Sequence, residues 1–232
     1  MKTRMRLSLS LFLLLAVQST GALAATISYS SSYGVPVGVQ PDWNTNLSLA
    51  KFNPGLGTLT GVTVSLTGNI FGSIGVENMN LTDTRTINAA LTASMTVNLP
   101  NAATLTANPT SNQTFILPKF DLTDDKTGTS GETRSNLTAT NQVYYYVLPA
   151  DLALFTGFGN QTYHIAATDA SFATGGGNTS SSFSNVAGAL LQVTYDYTPG
   201  PVPEPATMLL FGGGAGALAL MRRRKKNAAA NL

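Results

Sequence analysis

Leu91, Ala93, Met95, Val97 and Leu99 alternate with Thr92, Ser94, Thr96 and Asn98. A repeat of two puts every apolar side chain on one face of an extended strand and every polar one on the other. The alternation returns in Val62-Thr63-Val64-Ser65-Leu66-Thr67, and again where Leu191, Val193, Tyr195 and Tyr197 interleave with Gln192, Thr194, Asp196 and Thr198. Half-buried antiparallel strands carry this signature. Weaker strand segments are 26–33, 47–52, 115–120, 143–148 and 162–167. Asn53-Pro54-Gly55, the stretch from Gly72 to Gly75, and Gly175-Gly176-Gly177 read as turns between them. Only 150–156 reads as helical, and Pro149 suits the first position of a short turn. Eight or more strands with no internal repeat predict an all-β fold, an antiparallel two-sheet sandwich of jelly-roll or immunoglobulin-like type.

Composition narrows the chemistry. The 232 residues hold no cysteine and one histidine, His164. That excludes disulfide scaffolds, Cys-ligated zinc, iron–sulfur clusters and thiol catalysis, and it leaves acid–base chemistry with a single imidazole. Stability therefore rests on core burial within residues 25–198, which are enough for one substantial core.

The two ends read as addresses. Lys2, Arg4 and Arg6 precede an apolar run over residues 7–17, and Ala22-Leu23-Ala24 supplies the small residues that signal peptidase accommodates. Residues 1–24 are thus expected to be a signal peptide cleaved between Ala24 and Ala25. Residues 199–205 form a proline-rich spacer unable to join a sheet ladder. The uncharged stretch 206–221 would span roughly 24 Å as a helix, slightly short of a hydrocarbon core of about 30 Å. Its glycines are at home in membrane helices, and it is read as a transmembrane helix. Arg222, Arg223, Arg224, Lys225 and Lys226 follow, opening a basic tail over 222–232 that the positive-inside rule keeps cytoplasmic.

Val202-Pro203-Glu204-Pro205-Ala206-Thr207, the Gly/Leu-rich span and the basic cluster together resemble the PEP-CTERM sorting signal. The resemblance covers about the last 30 residues, and the order of its three parts is specific. It implies a protein exported by a Gram-negative bacterium that makes exopolysaccharide or biofilm matrix. It also implies processing near the Pro-Glu-Pro motif by an exosortase, after transient anchoring in the inner membrane. Release or attachment at the cell surface would follow, and the resemblance implies no enzymatic activity.

A second resemblance lies inside the domain. Leu49-Ala50-Lys51-Phe52-Asn53-Pro54-Gly55-Leu56-Gly57-Thr58-Leu59, and then Gly75-Val76-Glu77-Asn78, are similar to the choice-of-anchor E domain, most clearly over residues 47–80. Those exported domains carry variable C-terminal anchors, and the family usually has Asp where Asn53 stands. On the residues alone, Asn-Pro-Gly makes a tight turn whose two sides Phe52 and Leu56 are expected to staple into the core.

Three groups of residues are candidates for chemistry. Asp121, Asp124 and Asp125 bring three carboxylates into one loop with Thr oxygens and Gly128, a donor set suited to calcium; Lys126 offsets the charge and the regular EF-hand spacing is absent. Trp43, Tyr144 and Tyr146 are candidates for glycan contact, because aromatic rings stack on sugar faces. In a strand Tyr144 and Tyr146 share one face while Tyr145 turns to the other; Trp43 equally suits a plug at the sandwich end. A carboxylate-pair hydrolase would draw on Glu77, Glu132, Asp151, Asp169 or Asp196, but no local motif pairs them. A Ser nucleophile lacks the Gly-x-Ser-x-Gly turn and depends wholly on His164. Six Asn-x-Ser/Thr triplets, from Asn46 to Asn178, are near the number that so much Asn, Ser and Thr gives by chance.

The net charge of +2 divides sharply along the chain. Eight of the thirteen cations lie in the two addresses, and residues 25–200 set five cations against ten carboxylates, a net charge of −5. A mildly acidic exported domain is a poor partner for nucleic acid or anionic membrane. The expected function is a non-catalytic surface or biofilm-matrix component. A carbohydrate-binding module for bacterial exopolysaccharide is the alternative, and a secreted hydrolase a third. No cofactor is required beyond the possible calcium.

Overall fold

Ten strands form, two of them, over 104–107 and 172–174, outside the segments that the alternation marked. The computed structural model describes residues 23–175 and 177–200. The strands are β1 (Ala25–Tyr33), β2 (Trp43–Ala50), β3 (Gly57–Asn78), β4 (Arg85–Asn98) and β5 (Thr104–Ala107), then β6 (Thr110–Leu117), β7 (Gly131–Tyr146), β8 (Asn160–Asp169), β9 (Phe172–Thr174) and β10 (Thr179–Pro199). All pair antiparallel, in one sheet ordered β1-β10-β3-β7 and another ordered β2-β8-β4-β5, with β6 and β9 also on β4. β5 and β6 together flank one side of β4, and β8 and β9 the other. With each of these pairs counted as one bent strand there are four strands per sheet. The chain passes to the other sheet at nearly every connection, and its first and last strands are neighbours. That is jelly-roll order, two interlocked Greek keys.

Between the sheets lies the core. Val62, Val64 and Leu66 of β3 and Leu191, Val193 and Tyr195 of β10 face Leu91, Met95 and Val97 of β4, Tyr163 and Ile165 of β8 and Phe115 of β6, and all are buried. Each such side chain contributes about 1.5–3 kcal/mol on leaving water. Phe52, next to the Asn53-Pro54-Gly55 turn, packs against Tyr195 and Tyr197. The turn is a single 3₁₀ turn in which Asn53 Oδ1 accepts from Gly55 N. Phe52 is fully inside, but Leu56 is 38% exposed and no staple. The expected helical segment is a 3₁₀ helix, Pro149–Phe155, with Phe155 buried.

Gly72 to Gly75 is not a turn. Both glycines lie within β3, where the register against β7 shifts. A Cβ at Gly72 would fall on the Ser184 carbonyl oxygen, so glycine here admits a neighbouring strand, a role glycine also takes at bulges.

The termini of the domain meet. β1 enters opposite the exit of β10, with Ala25 paired to Tyr197. Gly57 pairs with Pro199, and Gly200 N donates to Leu56 O at 3.1 Å. The opposite end of the molecule, where Thr179 pairs with Asn78, carries the loop between β6 and β7. Of the expected signal peptide only Leu23 and Ala24 are described. Ala22, the sorting residues Val202, Pro203, Glu204 and Pro205, the segment 206–221 and the basic cluster from Arg222 to Lys226 lie outside the described residues. Among the described residues no helix is long and apolar enough to cross a membrane.

Candidate functional site

The acidic loop folds around its own carboxylates. Asp121 Oδ1 accepts from Thr123 N, and its Oδ2 from Thr129 N and Oγ1. The Thr123 amide, with help from Thr129 and Ser130, holds the Asp121 carboxyl below its ordinary value. Asp124 pairs with Lys126 Nζ at 2.6 Å and accepts from Ser180 Oγ. Chiefly through that Lys126 bond its carboxyl is also lowered. Asp125 Oδ1 accepts from Thr127 N and Oγ1. These bonds turn the three carboxylates to different partners. Among the described residues no three His, Cys, Asp or Glu side chains gather around a common point. The organising residue is Glu77, fully buried at the end of β3, which accepts from Lys126 N at 2.8 Å and from Ser130 Oγ.

The aromatic candidates separate. Trp43 is 8% exposed and packs edge-on against Tyr33, ring centroids 4.9 Å apart. It is a plug and offers no ring face to a ligand, which corrects its reading as a glycan contact. Tyr144 and Tyr146 are 55% and 72% exposed on β7, the edge strand of the first sheet. Tyr145 points inward, its hydroxyl accepting from Asn101 Nδ2. Tyr144 Oη donates to Gln142 Oε1 at 2.8 Å, which fixes the direction of its ring.

These tyrosines belong to a larger outer face. Tyr146 lies in register with Thr63, Thr194 and Ser28, and Tyr144 with Ser65, Gln192 and Ser30. Farther along, the segment between β1 and β2 folds back over β10, where Val39 and Ala187 exchange two backbone hydrogen bonds of 2.9 and 2.8 Å. Gly188 permits this approach, since a Cβ there would sit on the Gly34 carbonyl oxygen. A cavity of about 580 Å³ opens between this segment and β7, walled by Val35, Pro36 and Val37, floored by Asn69 and Phe71, and bordered by Thr140. The sequence marked the tyrosines but not the cavity, whose walls are separated by more than 30 residues from either neighbour in the chain.

A smaller recess of about 240 Å³ brings Asp42 and Asp169 together with Asn185. Asp42 Oδ1 accepts from Asp169 N at 3.3 Å, a pairing across 127 residues that no local motif announces. Burial alone would raise the Asp169 carboxyl, but hydrogen bonds from Ser171, Asn185 and Ala170 outweigh it and leave it lowered. The other carboxylates considered for hydrolysis have local roles. Glu132 pairs with Arg134 at 2.7 Å, Asp151 accepts from Asn101, and Asp196 accepts from Thr26. His164 is exposed, its Nδ1 3.2 Å from Asn46 Oδ1.

No curated protein matches the sequence. Among solved structures, that of the infectious bursal disease virus Gx strain is 9% identical, covering 77% of this chain and 36% of its own, with a TM-score of 0.20. The Gt strain of the same virus is 12% identical, covering 88% of this chain and 48% of its own, with a TM-score of 0.16. The chain thus spans less than half the length of these structures, and such low scores establish no shared fold. Residues 201–225, by contrast, match the family model described as the PEP-CTERM protein-sorting motif. The chain therefore carries a C-terminal sorting signal of that kind, and the motif supports export and sorting by an exosortase.

Proposed function

We propose that this chain is a non-catalytic component of the bacterial cell surface or extracellular matrix, in which a jelly-roll domain of the choice-of-anchor E type is delivered by its PEP-CTERM tail. Signal peptidase releases Ala25 as the new N-terminus. The segment 206–221 then holds the protein in the inner membrane with the basic tail cytoplasmic, until an exosortase acts near Pro203-Glu204-Pro205. The observation that carries this reading is the match of residues 201–225 to the PEP-CTERM protein-sorting motif; the pairing of Ala25 with Tyr197 adds where the two terminal strands meet. Ala25 and Pro199 lie at one end of the sandwich, so a domain tethered through either terminus would present the opposite end, with the Glu77 loop, away from the tether. The local employment of its carboxylates supports a non-catalytic role.

Fractionating cells that express the wild-type chain and a chain lacking residues 203–205 tests the sorting claim. The wild type is expected at the surface or outside the cell and the deletion in the inner membrane; identical distributions contradict the proposal.

A second reading, binding of exopolysaccharide, is favoured by the exposure of Tyr144 and Tyr146 side by side on one strand. The hydrolase reading has only the Asp42–Asp169 recess, in which both carboxylates are taken up by hydrogen bonds.

A further inference from the structure

We propose that the outer face of the β1-β10-β3-β7 sheet binds a neutral polysaccharide along β7, with the cavity beneath the Val35-Pro36-Val37 segment as its anchoring subsite. The proposal rests on the exopolysaccharide-binding reading and adds the site and the charge class of the ligand.

Charge supplies the first argument. Across five consecutive rows of this face, from the one through Thr63 to the one through Phe71, every position carries a hydroxyl, an amide, an apolar side chain or glycine. The domain's ten carboxylates and five cations lie elsewhere, Asp196 in the adjoining row through Gly61. An acidic glycan would find no counter-charge, while a neutral one gives up little hydration energy on docking.

The second argument is the pairing of surface types. The cavity sets the apolar surfaces of Val35, Val37 and Phe71 beside the amide of Asn69 and the hydroxyl of Thr140. A pyranose ring has the same two sides, C–H faces and a rim of hydroxyls. Thr140 Oγ1 donates to Asn69 Oδ1 at 2.7 Å, which leaves the Asn69 Nδ2 donors to a ligand's hydroxyls; a purely apolar occupant would cover them unpaired, at about 1–3 kcal/mol for a buried group. The volume of about 580 Å³ falls in the ordinary range for ligand sites.

Length and rigidity complete the case. Thr138, Thr140, Gln142, Tyr144 and Tyr146 stand on the same side of β7, and at about 3.4 Å per residue they line roughly 27 Å. That accommodates several linked rings, with the two tyrosines as stacking positions beyond the cavity. The overlying segment is already pinned through Val39 and Ala187, so little ordering is needed on binding.

Affinity electrophoresis of the detergent-solubilised full-length chain decides the matter, with dextran, galactomannan, xylan or hydroxyethylcellulose as neutral probes and alginate as the acidic one. Val37 is 81% exposed, so Val37→Asp leaves folding intact, as circular dichroism and melting will verify. Retardation by at least one neutral polymer is expected, weakened about tenfold or more, some 1.4 kcal/mol, by Val37→Asp and by the double variant Tyr144→Ala/Tyr146→Ala. If the wild type is retarded by none of the polymers, the exopolysaccharide reading itself falls. Retardation that both variants retain moves binding to another surface and overturns this site alone. Retardation by alginate only overturns the neutral class.

Discussion

Ala25 and Tyr197 close the β1–β10 ladder at the end of the sandwich where the first and last described strands meet. Three residues inward, Ser28 Oγ and Thr194 Oγ1 are 2.9 Å apart on the outer face. Directly opposed antiparallel residues have the Cα spacing that a disulfide requires, and the chain has no cysteine to interfere. Ser28→Cys/Thr194→Cys is expected to oxidise on export and to raise stability by about 2–5 kcal/mol. Non-reducing mass analysis and urea unfolding check it; a pair that stays reduced in oxidant contradicts the register.

Glu77 ties the far end of the sandwich. Removing its carboxylate leaves the Lys126 N–H and the Ser130 hydroxyl unpaired in a buried place. Glu77→Ala is expected to cost about 2–4 kcal/mol in urea unfolding and to speed amide exchange in residues 121–130. Glu77→Gln, which keeps an acceptor, is expected to lose less. A change within about 0.5 kcal/mol for Glu77→Ala would show that the loop is held otherwise.

Two buried tyrosines should respond differently to loss of their hydroxyls. Tyr195 Oη donates to Ala50 O at 2.9 Å, whereas Tyr163 Oη, which faces the Tyr195 hydroxyl, makes no well-formed hydrogen bond among the described residues. Burial pushes the Tyr195 phenol up to about 12 and raises that of Tyr163 as well. Tyr195→Phe is expected to lose about 1 kcal/mol, and Tyr163→Phe to be neutral or stabilising. Urea midpoints of the two variants give the comparison, and equal losses would contradict it.

Acid should destabilise the domain at low pH only. Asp121, Asp124 and Asp169 all have folded-state carboxyls below the ordinary value. Such groups contribute stability that is complete above the unfolded pKa, near 3.9, and is lost as pH falls through the folded values. The melting temperature is expected to fall below about pH 4, and less steeply in Asp169→Asn. A melting temperature that rises on acidification through this window would reverse the sign.

Strands were legible where one face is dry and the other wet. Leu91 to Leu99 lies almost wholly in β4 and Leu191 to Thr198 in β10, as the alternation predicts. Only six residues of β3 were visible, because from Ile74 to Asn78 both faces are buried and alternation has no meaning. The first half of β7 escaped for the opposite reason: from Thr133 to Asn136 it is a polar edge, without an apolar face to read. The sandwich was legible, while the choice of jelly-roll order depends on pairings such as Ser30 with Gln192, 162 residues apart. Site residues divide likewise: Tyr144 and Tyr146 are exposed together as their spacing requires, whereas Trp43 is buried through its contact with Tyr33, ten residues away. The Asp42–Asp169 recess arises from long-range pairing alone.

Intact-mass measurement of the protein recovered from the cell surface or medium tests the routing most directly. The account predicts a chain that begins at Ala25 and has lost the segment from 206 onward, with its new C-terminus near Pro203-Glu204-Pro205. A surface or extracellular protein that keeps Arg222 to Lys226, or that begins elsewhere than Ala25, would contradict it.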